Sequence, residues 1–207
     1  MRKGSKQKMS QWIVDKARTT ARDKELMSGK FDEDTCLPPG HSYESYIYGP
    51  GVDSYNRLDG VLSLFYDEDE DRKSECMMAF GDAWSMCDDL WESLPYTRGI
   101  LRSSTPALRQ AMMTASELRE WSALPSRITV WRGCYADNVA GLSWTLDEKV
   151  ARRFPFLHRY SSDRSDALLL KTSVAKTRAV LKLARGEAEI VVIPTGKIDC
   201  KVIELPQ

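Results

Sequence analysis

Residues 185–193 read RGEAEIVVI, a polar turn followed by a run of β-forming residues, and this stretch decides how the second half of the chain is interpreted. Glu187 and Glu189 are two positions apart, so in an extended chain both carboxylates leave the same face, in line with Val191 and Ile193. Like charges at that spacing repel, and a strand does not require them. The stretch therefore predicts either a pair of functional acids or two acids at an exposed strand end.

Further runs of β-forming residues surround this stretch. They lie at residues 128–131, 168–170, 180–183, 190–193 and 201–205. Between the first two runs, Thr145 and Glu148 have the spacing of a capping box, which predicts a short helix with Val150, Ala151 and Phe154 on its apolar face. Strands are thus expected to dominate residues 126–207.

The first half of the chain has helical periodicity instead. Apolar residues recur at steps of three and four and predict a helix that ends near Pro95. Thr105 and Pro106 have the cap and first-position chemistry of a further helix, which we expect to continue to about Trp121. The apolar stripe of the earlier helix consists of Met77, Phe80, Trp84, Cys87, Trp91 and Leu94.

Two more segments complete the first half. Residues 9–20 have helical spacing, and glycines and prolines predict an irregular loop near residues 37–60. The predicted fold class is α+β, in one domain over residues 1–207. Mainly helical residues 1–125 are expected to pack on a mixed, mostly antiparallel β-core formed by residues 126–207.

Composition limits the functional classes. The chain has 207 residues, of which 42% are hydrophobic and 29% charged, and it has no apolar run long enough to span a membrane. The absence of a secretory signal and the odd number of cysteines predict a soluble, cytoplasmic protein with reduced thiols. Two histidines and no CxxC pair argue against a metal site.

The formal net charge of zero conceals three blocks. Residues 1–30 carry +6, residues 31–95 carry −13 and residues 96–207 carry +7. Such blocks commonly fold against each other as solvated faces, but the acidic, tyrosine-rich residues 31–95 could also contact a basic partner. Nucleic acid is not an expected partner, because the basic residues form no recognition motif. The oligomeric state does not follow from the sequence.

Two short segments before the glutamates also carry polar residues that packing does not demand. Strand alternation puts Arg132 on one face with Ile128 and Val130, where a guanidinium requires an anion or an internal salt bridge. The adjacent Gly133 would let a ligand approach the backbone closely. Residues 141–145 read GLSWT. Strand alternation places the hydroxyls of Ser143 and Thr145 on one face and the indole of Trp144 on the other.

An arginine strand, a Ser-x-Thr strand and a Glu-x-Glu strand, in this order, resemble the ADP-ribosyltransferases of the arginine-serine-glutamate, cholera-toxin-like class. The resemblance extends from about Leu108 to the C-terminus, through TVWRG, GLSWT with the following LDEKVARRF, and RGEAEIVVIPTGK with the closing KVIEL. Trp144 stands where the family usually has threonine, and only ten residues separate Arg132 from Ser143. Residues 1–100 match nothing in that family.

The resemblance implies a mono-ADP-ribosyltransferase that cleaves NAD, needs no metal, and transfers ADP-ribose to a protein acceptor, with arginine expected from the Glu-x-Glu pattern. It assigns bond breaking to Glu189, acceptor activation to Glu187 and positioning of the acid to Ser143. NAD hydrolysis could accompany transfer. The residues expected to bind NAD are Arg132, Gly133, Ser143, Trp144, Thr145 and Phe154.

Two alternatives come from other functional classes. The first is a catalytically inactive binding module that keeps the fold, which the departures from the family pattern favour. The second is an interaction protein that uses residues 31–95, with a fortuitous motif match. Retention of Arg132, Glu187 and Glu189 favours the enzyme.

Overall fold

The computed structural model describes residues 43, 47–48, 52–54, 57–58, 61, 65, 70–87, 94–157, 166–193 and 199–205. The chain divides into two compact units, Met1–Met112 and Met113–Gln207. Within the described ranges, no helix is long and apolar enough to cross a membrane. The helix expected at residues 9–20 and both histidines lie outside the described residues. The single-domain organisation stays a prediction.

Three helices of the first unit lie in its described part: α1, Glu70–Met86; α2, Leu94–Ser103; and α3, Pro106–Ala111. Part of the predicted apolar stripe is confirmed on α1, where Met77, Phe80 and Trp84 are buried. Cys87 directly follows α1 and Leu94 begins α2, and both are buried as well. The predicted end near Pro95 is wrong, since that proline belongs to the first turn of α2. A proline in a first turn lacks an N–H that would have had no helical partner.

The stretch expected to be an irregular loop differs from that expectation at its described positions. Tyr43, Ile47, Arg57 and Leu58 have helical backbone. Tyr43, Ile47 and Leu58 are also buried, and Arg57 Nε donates to the Ile47 carbonyl over 2.9 Å. Burial and tertiary hydrogen bonds therefore outweigh the local glycine and proline signals at these positions.

The helix predicted to run from Pro106 to about Trp121 is two helices. Its start is confirmed, because Thr105 Oγ1 accepts from Leu108 N over 3.2 Å. A second helix, α4 (Ala115–Ala123), begins after Thr114, which forms a capping box with Glu117. This helix lies in the second unit and packs against the strand Ala179–Lys182.

The second unit contains a six-stranded sheet in the order β4-β5-β2-β1-β3-β6. All five pairings between these strands are antiparallel, so the described sheet is wholly antiparallel where a mixed, mostly antiparallel sheet was predicted. The α+β class is confirmed. The strands are β1, Arg127–Tyr135; β2, Ser143–Thr145; β3, Ala167–Ala175; β4, Ala179–Lys182; β5, Glu189–Val192; and β6, Lys201–Glu204.

A short helix, α5 (Glu148–Arg153), follows β2 and covers one face of the sheet. Its cap is Asp147, whose carboxylate accepts from Lys149 N over 2.7 Å, so the predicted capping box of Thr145 and Glu148 is wrong. The buried Ala151 of this helix joins an apolar cluster that includes Tyr135 and Leu169. The helix therefore closes the sheet on the side where Ser143 and Glu189 emerge.

Candidate functional site

A transverse row of paired residues defines the face of the sheet that carries the candidate site. Trp131 pairs with Thr145, and Thr145 pairs with Glu189. Directly paired residues share a face, and Ser143 shares it too because it is two positions from Thr145. Three strands that are distant in sequence thus present these side chains side by side.

A small, partly open cavity lies on this face. It brings together all eight residues that the sequence singled out as candidates for catalysis or NAD binding. The lining consists of Trp131, Arg132, Gly133, Ser143, Trp144, Thr145, Val150, Ala151, Phe154, Glu187 and Glu189.

Two of the predicted residues that line the cavity, Ser143 and Glu189, are joined by a hydrogen bond. Ser143 Oγ donates to Glu189 Oε1 over 2.5 Å, and both side chains are half-buried. The hydroxyl thus holds one carboxylate oxygen in a defined direction. Such an arrangement suits a carboxylate that must act at a fixed point on a bound molecule.

Glu187 does not lie on a strand, contrary to the alternation argument. Strand β5 begins at Glu189, and Glu187 belongs to the glutamate turn, defined here as residues 183–188. Gly186 has a φ of 66° and Ala188 a φ of 43°, so the backbone has a positive φ on both sides of Glu187. The left-handed conformation is costly for alanine. Turn geometry, not period-two alternation, therefore brings Glu187 to the cavity.

Thr145 anchors this turn. Its hydroxyl donates to the Glu187 carbonyl over 2.6 Å, and the neighbouring Leu146 N donates to the Ala188 carbonyl over 3.1 Å. Since Thr145 is 6% exposed, it is a buried positioning group rather than an open ligand contact. The Ser-x-Thr motif thus orients both glutamates, Ser143 through a side chain and Thr145 through the backbone.

The Arg132 guanidinium donates hydrogen bonds to backbone carbonyls. Its Nη1 donates to the Ser143 carbonyl over 2.6 Å and its Nη2 to the Asn138 carbonyl over 3.1 Å. Strands β1 and β2 share a single paired position, Trp131 with Thr145, so the guanidinium joins the strands where they stop pairing. The role predicted for Arg132 in holding NAD stays a prediction, beside this structural role.

Two glycines are required by packing around the same strand. A Cβ on Gly141 would lie 2.2 Å from Arg132 Nη2, so only glycine leaves room for the guanidinium. A Cβ on Gly133 would lie 1.9 Å from the Ala151 carbonyl oxygen. Its lack of a side chain therefore lets α5 approach the strand; Gly133 also lines the cavity, and its contact with a ligand stays a prediction.

The two aromatic residues predicted to contact NAD differ in accessibility. The Trp144 indole is 3% exposed and donates through Nε1 to the Gly141 carbonyl over 3.2 Å, so it belongs to the packed interior. Phe154 is half-buried and begins a 3-10 turn at the end of α5. Phe154 is therefore the better placed of the two to contact a bound ring.

Burial and charge set the ionisation of the groups around Arg132. Burial lowers the pKa of Arg132, whereas the Cys134 thiol and the negative charge of Glu189 raise it. Burial raises the pKa of the Cys134 thiol, which the charge of Arg132 only partly counteracts. A thiol with a raised pKa is a poor nucleophile. The acids, rather than this cysteine, are the groups suited to chemistry here.

Three lining residues were not proposed as site residues from the sequence: Trp131, Val150 and Ala151. Val150 and Ala151 fit the predicted apolar face of α5, and Trp131 fits a strand, so each had a sufficient packing explanation. The one sequence feature that could have indicated a site role for Trp131 is its position directly before Arg132. No group of side chains in the described part of the chain could hold a metal ion.

No protein-family model matches the chain, and neither the comparison with curated proteins nor that with solved structures found a match.

Proposed function

We propose that this protein is a mono-ADP-ribosyltransferase that cleaves NAD and transfers ADP-ribose to a protein acceptor, with arginine as the expected acceptor residue. The observation that carries the proposal is the Ser143–Glu189 hydrogen bond in a cavity that Glu187 also lines. The proposal includes the fold: the second unit would have the ADP-ribosyltransferase type of β-core. The support for this fold type is the order of the three motif strands and the presence of Arg132, Ser143 and Glu189 in the lining of one cavity.

The reaction breaks the bond between ribose C1′ and the nicotinamide nitrogen. The bonding electrons leave with nicotinamide, and positive charge develops on the ribose. A carboxylate held against the sugar stabilises that charge as it forms, which is the role of Glu189. Ser143 contributes by restricting the carboxylate to one direction, so little reorganisation is needed at the transition state.

The acceptor nucleophile then bonds to C1′ and must lose a proton. Glu187 is the proposed group that orients the acceptor and takes this proton. Its support is its place in the glutamate turn, where Thr145 fixes its carbonyl while the side chain reaches the cavity. Glu189 thus acts in bond breaking and Glu187 in acceptor activation.

NAD fits this cavity in part. The enclosed part of the cavity measures about 20 Å³, far below the roughly 300–1,000 Å³ that is usual for small-molecule sites, so most of a dinucleotide must lie outside it. The nicotinamide ribose would lie at the mouth of the cavity beside Glu189, with the nicotinamide near Phe154, and the rest of the dinucleotide would extend along the sheet.

The direct test measures nicotinamide release and protein labelling with adenylate-labelled NAD and a cell lysate. We expect the wild-type protein to produce both signals. Glu189→Gln should lower both by about 100-fold to 1,000-fold, the usual cost of removing one electrostatic stabiliser. The matched control is Glu120→Gln, which changes an exposed glutamate on α4. Wild-type turnover in Glu189→Gln would contradict the assignment.

A second prediction separates the two glutamates. Glu187→Gln should abolish protein labelling but retain measurable nicotinamide release, because water can replace the acceptor during hydrolysis. Both products are measured in the same reaction. If Glu187→Gln and Glu189→Gln suppress nicotinamide release equally, the separate acceptor role is wrong.

A binding module without catalysis is the second candidate. The observation that favours it is the use of Arg132 on the Ser143 and Asn138 carbonyls, which leaves less of the guanidinium for a phosphate. The same reaction distinguishes the two functions, because such a module would bind NAD without releasing nicotinamide.

A further inference from the structure

The row of paired residues that contains Glu189 continues across the sheet into two lysines. Trp131 pairs with Lys171 on β3, and Lys171 pairs with Lys201 on β6. Paired residues share a face, so both lysines lie on the face that bears the cavity. From β5 to β6 the row consists of Glu189, Thr145, Trp131, Lys171 and Lys201.

Lys171 leans back toward the cavity. Its Nζ lies 4.3 Å from the centroid of the Trp131 ring, and Trp131 lines the cavity. Two strand spacings separate the Trp131 strand from the Glu189 strand, or roughly 10 Å. The ammonium is therefore held near the cavity and within reach of a group attached to a ribose bound at Glu189.

The contact with the Trp131 ring stabilises Lys171, but the placement of Lys201 directly opposite Lys171 is not explained by the stability of the sheet. Like charges directly opposite each other on neighbouring strands are destabilising. Lysine on the edge strand β6 can protect an edge against pairing with another chain, but β3 is an interior strand. A bound anion would remove the repulsion between Lys171 and Lys201, and both side chains are exposed to receive one.

We propose that Lys171 and Lys201 form a subsite for the diphosphate of a dinucleotide whose nicotinamide ribose contacts Glu189. This proposal rests on the proposed function, since it takes the ribose position from it. The Arg132 guanidinium donates to the Ser143 and Asn138 carbonyls, so a phosphate needs further cations. Lysine binds phosphate as a compact point charge with three donors, which suits an exposed subsite.

The test is the dissociation constant of ADP-ribose, measured by titration calorimetry. ADP-ribose carries the diphosphate but no nicotinamide, so its binding does not require bond cleavage. We expect Lys171→Gln and Lys201→Gln each to weaken binding about tenfold and Lys171→Arg to retain most of the affinity. The charge-matched control is Arg119→Gln on α4, which packs against β4 at the opposite edge of the sheet from β6.

The outcomes for the subsite and for the enzyme are separable. Lysine-dependent binding of ADP-ribose in a protein that releases no nicotinamide would support the subsite and contradict the proposed function. Nicotinamide release with unchanged ADP-ribose affinity in both glutamine variants would overturn the subsite and leave the function standing. Failure of the wild-type protein to bind ADP-ribose, or an equal loss in Arg119→Gln, would also overturn the subsite.

Discussion

Arg132 on β1 and Lys182 on β4 are cations set into the same sheet, and the protein satisfies them in different ways. Lys182 is 3% exposed, and its Nζ lies 2.9 Å from Glu117 Oε2. Arg132 donates instead to the uncharged carbonyls of Ser143 and Asn138. The charge of Lys182 is thus paired with a carboxylate, whereas the hydrogen bonds of Arg132 go to backbone groups that carry only partial charges.

The difference separates a structural pair from a functional environment. Glu117 also accepts from Leu183 N over 2.7 Å and from Thr114 N over 2.9 Å, so its carboxylate is used in full on the fold. Burial lowers the pKa of Arg132, and the negative charge of Glu189 partly counteracts this effect, so the charge of Arg132 acts beyond its hydrogen bonds. Charges that interact across a cavity are available to a ligand, and a closed buried pair is not.

The largest expected effect concerns the closed pair. Glu117→Gln should lower the free energy of unfolding by about 3–5 kcal/mol, because it leaves the Lys182 ammonium buried without a counter-charge. Urea unfolding measures the loss, with Glu120→Gln on the exposed face of the same helix as control. The double variant Glu117→Leu with Lys182→Leu should lose less than Glu117→Gln alone. A loss below about 1 kcal/mol in Glu117→Gln would contradict the structural role.

The same pair sets a pH dependence. Burial by itself would raise the pKa of Glu117, but the hydrogen bonds from Lys182, Leu183 and Thr114 and the charge of Lys182 outweigh it and lower that pKa. The stability from Glu117 is therefore fully present above the ordinary glutamate pKa and is lost as pH falls through the lowered value. The stability difference between wild type and Glu117→Gln should shrink below about pH 4. A difference that is constant with pH would exclude this linkage.

An intermediate effect is expected at Arg132. Arg132→Met should lower the free energy of unfolding by about 2–4 kcal/mol, because two carbonyls lose their donors where β1 and β2 diverge. The control is Arg127→Met on the same strand. The exposed Arg127 guanidinium donates to the Ser173 carbonyl over 3.1 Å. Equal unfolding midpoints for wild type and Arg132→Met, with weaker NAD binding, would assign Arg132 to the ligand and remove the contrast with Lys182.

The smallest effect is expected in the glutamate turn. Ala188→Gly should change the free energy of unfolding by at most about 1 kcal/mol, in the stabilising direction, because glycine adopts a positive φ without the steric cost of Cβ. Thermal unfolding measures this, and Ala184→Gly, at an exposed position of the same turn without a positive φ, is the control. Clear destabilisation by Ala188→Gly would show that the turn depends on the alanine side chain.

Local patterns were enough for much of the fold. The runs of β-forming residues correspond to β1, β3, β4, β5 and β6, and the start of α3 was predicted from Thr105 and Pro106 alone. These features depend on strand propensity, a side-chain cap and the restricted φ of proline, which act within a few residues. The break between α3 and α4 was missed because the apolar positions continue with helical spacing across it, past the cap at Thr114.

The sequence by itself determined the α+β class, the positions of most strands and which residues were candidates for chemistry, because period-two patterns and cap residues are local properties. Only the tertiary structure decided what those residues do to each other. In the folded protein, Arg132 donates to two carbonyls, and Glu187 lies in a turn between two residues with positive φ. Strand pairing places Lys171 and Glu189 in one row across four strands. The physical reason is that strand register, buried pairing and backbone reversal depend on residues far apart in the chain, and no local pattern contains them.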